Sequence, residues 1–111
     1  MEIELYGIKT CDTCKKALAA LRGAGLTVAF IDVRDAPLSR EKLAAFEAAF
    51  GDKLLNTRST TWRGLSEQER GEDPIDLLIA HPTLMKRPVV MNGAQMTIGW
   101  DKRAQATWLE P

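Results

Sequence analysis

Two β-rich segments, Ile3–Tyr6 and Thr27–Val33, stand about 20 residues apart with a helical stripe between them. A tight hairpin does not use so long a connection, but a right-handed crossover between parallel strands does. A chain that opens this way must cover its sheet with helices, which makes it an α/β protein. The stripe consists of Cys14, Ala17, Leu18 and Leu21, all on one helical face, and Gly23 and Gly25 stop it. Gly7 punctuates the end of the first strand.

The later elements are read in the same way. Pro37 marks a loop, and Ser39 is an N-cap for a helix to about Phe50. Leu38 and Leu43 stand at the positions of a hydrophobic staple; Leu43, Phe46 and Phe50 share a face, and Gly51 ends the helix. Asp73-Pro74 supplies an N-cap and first helical residue, with Ile75, Leu78 and Ile79 expected inward and a stop before Pro82. Val89–Met91 and Gln95–Ile98 read as a hairpin turning at Asn92-Gly93. Asp101 can cap a closing helix that carries Trp108 to the core. No repeat or internal linker interrupts the 111 residues, so one domain over 1–111 is expected.

Charge and apolar patterning exclude several function classes. Fifteen basic residues balance fifteen acidic ones, whereas a general nucleic-acid binder carries a basic excess. No apolar run approaches the roughly 18 residues of a membrane-spanning helix, and no secretory leader is visible. The expectation is a cytoplasmic protein without nucleic-acid or membrane contacts.

The chemistry then centres on Cys11-Asp12-Thr13-Cys14, which holds both cysteines. Zinc would need a second ligand pair, and His81 is the sole histidine, so no metal site is expected. Haem attachment needs histidine at position 15, where Lys15 stands. Redox chemistry and two inert core thiols remain. Cys11 falls where a strand hands over to a helix, and unpaired amides at a helix start favour a thiolate. Lys9, Lys15 and Lys16 add positive charge and Asp12 opposes it.

The order of elements resembles a thioredoxin-like fold, and Arg87-Pro88 stands where such folds usually carry a cis-proline opening a strand. The likeness extends to motifs. Tyr6–Ala17 is similar to the opening of the arsenate-reductase-like (ArsC) family, particularly its YffB and Spx branches. Leu54–Arg63, His81–Val90 and Ile98-Gly99-Trp100 resemble the family's later blocks, in the family's order, and the middle block is YffB-like. The resemblance implies a four-stranded mixed sheet flanked by helices, with an inserted helical region over roughly 38–82.

It also implies roles. Cys11 matches the nucleophile, and Cys14 stands where a resolving thiol would act. Arg58 and Arg87 match arginines that bind an oxyanion or a charged thiol adduct, and Pro88 belongs to the same substrate-binding segment. Glutathione is the expected co-substrate, with no bound cofactor, and a monomer is expected. Arsenate reductases of the family carry a third arginine after the hairpin, where this chain has Gln95–Trp100 and none; Arg103 follows out of register. The Cys11–Cys14 pair is shared with Spx, whose relatives are longer and bind RNA polymerase. These features imply a thiol–disulfide oxidoreductase. A redox-switch regulator binding RNA polymerase and an arsenate reductase are the alternatives.

Overall fold

The computed structural model describes residues 2–110. Among them, four strands form one mixed sheet: β1 (Glu2–Gly7), β2 (Thr27–Asp32), β3 (Val89–Asn92) and β4 (Gln95–Ile98). The spatial order is β2-β1-β3-β4. β1 runs parallel to β2, with Ile3 opposite Val28 and Gly7 opposite Asp32. It runs antiparallel to β3, with Leu5 opposite Val90 and Tyr6 opposite Val89. The crossover between the parallel strands is α1 (Asp12–Gly23), followed by Gly25 at φ 86°, a conformation that glycine adopts at no steric cost. The four-stranded mixed sheet with flanking helices is the thioredoxin-like arrangement expected from the sequence.

Contacts divide the chain into two compact units, one running to Asp35 and resuming at Arg87, the other Ala36–Lys86. The core of the first unit joins Ile3, Leu5, Val28 and Val90 to Ala17 and Leu21 of α1. Alternate residues of a strand share a face, so the apolar positions of β1 meet the stripe of α1. Leu18, Trp100 and Trp108 pack against this cluster. Each fully buried aliphatic side chain stabilises the fold by about 1.5–3 kcal/mol. The helix α6 (Lys102–Leu109) is capped by the Asp101 carboxylate, which accepts from the Ala104 amide at 2.9 Å. The Trp108 indole donates to Thr97 Oγ1 at 2.7 Å, so a half-buried ring keeps its polar atom satisfied.

The second unit is helical. Ser39 caps α2 (Arg40–Phe50) and Asp73 caps α5 (Pro74–Ala80), with Pro74 at the first helical position. Two single-turn helices, α3 (Thr60–Arg63) and α4 (Glu67–Arg70), begin at Ser59 and Ser66. Ser66 and Glu69 form a reciprocal capping box. The Leu55–Met85 bridge and the Lys86 amide, which donates to the Leu54 carbonyl at 2.8 Å, tie the segment after α2 to the end of this unit.

Two details differ from the sequence reading. α5 buries Leu77 and Leu78 while Ile79 is exposed, because the burial stripe of this short helix is rotated by one position. The hairpin turns at Gly93-Ala94, since Asn92 pairs with Gln95 inside the ladder. Gly93 has φ 62° and no non-glycine residue among those described has positive φ, so the turn needs its glycine first rather than second.

Candidate active site around Cys11

β1 delivers the chain to the site. Its neighbours end or begin at the same edge of the sheet: β2 stops at Asp32, opposite Gly7, and β3 starts just after Pro88. The Cys11 amide donates to the Ile8 carbonyl at 3.0 Å, closing a turn, and Cys11 becomes the N-cap of α1 with φ −82° and ψ 119°. Its carbonyl receives the first helical bond, from the Lys15 amide at 3.0 Å. Cys11 is half-buried and Cys14 fully buried, one helical turn along, and neither is in a disulfide.

The two thiols differ in acidity. Burial raises the Cys11 pKa, but the Cys14 amide and thiol and the Arg87 guanidinium together outweigh it, and the thiol is held below the ordinary cysteine value. The Cys14 thiol is pushed up to about 11, chiefly by burial and further by the neighbouring Cys11. Cys11 is thus the more acidic of the two thiols and Cys14 the less acidic.

Cys14 owes its seat to Gly7. A Cβ at position 7 would stand 2.5 Å from Cys14 Sγ and 3.3 Å from Leu5 Cδ2, so glycine is what leaves room for the sulfur. In the sequence Gly7 marks only the end of a strand. Arg87 and Pro88 are joined by a cis peptide bond; Pro88 is fully buried, and its carbonyl accepts from the Gly99 amide at 2.9 Å. Tyr6 is buried, and burial followed by the influence of Glu4 pushes its phenol up to about 12.

The first unit thus brings together Cys11, Cys14, Arg87 and Pro88. Arg58 belongs to the second unit, exposed in the turn before α3, with its amide donating to Asn56 Oδ1 at 3.1 Å. Arg103 is exposed on the first turn of α6. His81 is the C-cap of α5. Trp62 stacks under Arg70, whose guanidinium carbon lies 5.6 Å from the ring centre. Among the described residues no cluster of three or more His, Cys, Asp or Glu could hold a metal.

Residues 6–107 match the ArsC family. The chain belongs to that family. An uncharacterized protein of Haemophilus influenzae is 39% identical over 106 residues, which is 91% of this chain and 93% of that one. A solved YffB protein shares 35% identity, with 96% of this chain and 98% of that one covered and a TM-score of 0.88. More distant ArsC relatives include an arsenate reductase of Rhizobium meliloti, 30% identical over 82% of this chain and 69% of that protein. A global transcriptional regulator Spx of Streptococcus pyogenes is 28% identical over 90% of this chain and 79% of that protein. No helix of the described residues is long and apolar enough to cross a membrane.

Proposed function

We propose that this ArsC-family protein is a thiol–disulfide oxidoreductase that uses glutathione, with Cys11 as nucleophile and Cys14 as resolving thiol. The observation that carries the reading is the placement of the pair, a half-buried Cys11 capping α1 and a buried Cys14 one turn along, with opposed shifts in acidity beside it. The Cys11 thiolate attacks one sulfur of a substrate disulfide; the substrate S–S bond breaks, one half leaves as thiolate and the other stays bonded to Cys11. Cys11 then no longer carries charge, so the part of the Cys14 shift due to its neighbour disappears and the Cys14 proton comes off more readily. The Cys14 thiolate attacks the Cys11 sulfur, releases the second half as thiolate and closes a Cys11–Cys14 disulfide. Two glutathione molecules reduce that disulfide and leave as oxidised glutathione, which balances the cycle.

Arg87 stabilises the thiolate and, with its planar fork of donors, holds a carboxylate or oxyanion of the incoming adduct. The Pro88 segment completes substrate binding beside Arg87, and a substrate-binding role for Arg58 is carried by the family resemblance alone. The protein acts as a cytoplasmic monomer with no resident cofactor.

The test measures alkylation rate against pH for wild type, Cys11→Ser and Cys14→Ser, beside a glutathione-coupled disulfide reductase assay. Turnover that needs Cys11, with an inflection below the roughly 8.5 of a free thiol, is expected. An inflection at the free value, or equal reactivity of the two cysteines, refutes the assignment. The pair of cysteines and the Spx relative favour one second reading, a redox switch for RNA polymerase. Redox-dependent capture of polymerase without turnover would replace the enzyme reading by that one.

A further inference from the structure

Asp32 is the one charged residue buried among those described, 5% exposed at the end of β2. A buried carboxylate is costly unless its oxygens are satisfied, and here both are. Oδ2 accepts from the Lys9 amide at 2.9 Å, across 23 residues of sequence, and Oδ1 accepts from the Arg34 amide at 2.9 Å. Arg34 Nε stands 3.6 Å from the same Oδ1. The Val33 amide donates to the Gly7 carbonyl at 2.9 Å, beside this contact. Lys9 Nζ bonds the exposed Asp35 carboxylate at 2.8 Å, where solvent makes such a pair weak. The buried hold on Lys9 is therefore the Asp32 carboxylate on its amide. Lys9 is an interior residue of the turn that the Cys11 amide closes onto the Ile8 carbonyl.

We propose that Asp32 is a positioning residue for Cys11: its carboxylate pins the Ile8–Cys11 turn to the end of β2 and thereby sets where the Cys11 sulfur stands against Arg87. The proposal rests on the reading of Cys11 as the reactive thiol. Asp32 touches no reacting atom; its effect passes through the Lys9 amide. Burial alone would lift the pKa of its own carboxyl, but the Lys9 and Arg34 amides and the Arg34 guanidinium outweigh it and hold it below the usual range, so the anchor is ionised near neutral pH.

The sign of one shift separates positioning from plain electrostatics. Removing a negative charge from the neighbourhood of a thiol lowers the thiol pKa, whereas loosening the turn weakens the interactions that stabilise the thiolate and raises it. Two proteins test this. Asp32→Asn keeps the side-chain shape but replaces one acceptor oxygen by an amide nitrogen. A backbone ester between Ile8 and Lys9, introduced by ligating a synthetic segment of residues 1–10 to Cys11, deletes the Lys9 N–H and keeps the carboxylate. Alkylation at Cys11 is followed against pH by mass spectrometry, with thermal melting in parallel.

The expected result in both proteins is an upward shift of the inflection by about half to one pH unit, which slows alkylation near pH 7 about three- to tenfold. A purely structural role would lower the melting temperature and leave the inflection in place; that outcome, or a downward shift, overturns the proposal. The ester also weakens the Ile8 carbonyl that accepts from the Cys11 amide, so it is repeated in Asp32→Asn, or in Asp32→Ser where that protein does not fold. An ester shift that shrinks there belongs to the Asp32 contact, and one that persists undiminished overturns the proposal. A wild-type inflection at the free-thiol value would instead overturn the reading of Cys11, and it is visible before either variant is made.

Discussion

Replacing Gly7 by alanine tests the packing beneath the site most directly. The new methyl would lie 2.5 Å from Cys14 Sγ, 3.2 Å from Cys14 Cβ and 3.3 Å from Leu5 Cδ2. Carbon atoms in good contact stand roughly 3.5–4.0 Å apart, so the sulfur must retreat by about an ångström. It has nowhere empty to go, because Cys14, Ala17, Leu5 and Leu21 are all completely buried. Overpacking of this kind costs about 1–3 kcal/mol, and the lower unfolded-chain entropy of alanine returns about 0.4–1 kcal/mol. The net loss, about 1–2 kcal/mol, lowers the melting temperature by roughly 4–12 °C for a chain of this length. Cys14→Ala removes the atom in the worst contact, and the position-7 methyl then fills part of the space the sulfur occupied. The double variant is therefore expected to be more stable than the sum of the two single effects by about 1 kcal/mol or more. Urea denaturation of the four proteins under reducing conditions measures the coupling. Additivity within about 0.3–0.5 kcal/mol would refute the argument, because it would mean that Gly7 and the Cys14 sulfur do not compete for one volume.

The other predictions concern charge. Arg87→Gln is expected to raise the inflection of Cys11 alkylation and slow the reaction near pH 7 about three- to tenfold, with Arg87→Lys recovering part of the loss; an unchanged profile would remove Arg87 from the account. The folded Cys14 thiol holds its proton up to about 11 while the unfolded thiol loses it near the ordinary value, so folding stability falls as pH rises from about 8.5 towards that value. Denaturation midpoints across this range should decline less steeply for Cys14→Ala, and parallel slopes would contradict the burial argument. Arsenate turnover with glutathione and glutaredoxin is expected to be negligible beside reduction of a mixed glutathione disulfide, because an anion of between one and two negative charges facing a thiolate needs several converging cations. Efficient arsenate turnover that vanishes in Arg103→Ala would show that Arg103 supplies the third one.

Local rules made much of this protein legible in its sequence. Ser39, Asp73 and Asp101 cap the helices they were expected to cap, because a side-chain oxygen at a helix start needs only its own neighbours. Cys11 and Cys14 stood out for the same reason, as a spacing at a strand-to-helix junction. Asp32 did not, since its burial depends on an amide in a loop from another part of the chain. The role of Gly7 was hidden because a glycine ending a strand looks the same whether the backbone turns there or a sulfur packs against it. Ile79 misled because helical spacing alone cannot orient a helix of seven residues, where Leu77 and Leu78 compete with it for the buried side.

The placement of β1 between β2 and β3 has a consequence for biosynthesis. Cys11 leaves the ribosome first, and more than two thirds of the chain must follow before Arg87 emerges and β3 can settle beside β1. A nascent chain therefore carries a cysteine without its guanidinium partner, closer in reactivity to any other thiol. The sheet order splits the acidity of Cys11 in time: the share from Cys14 needs only α1, whereas the share from Arg87 waits until β3 docks.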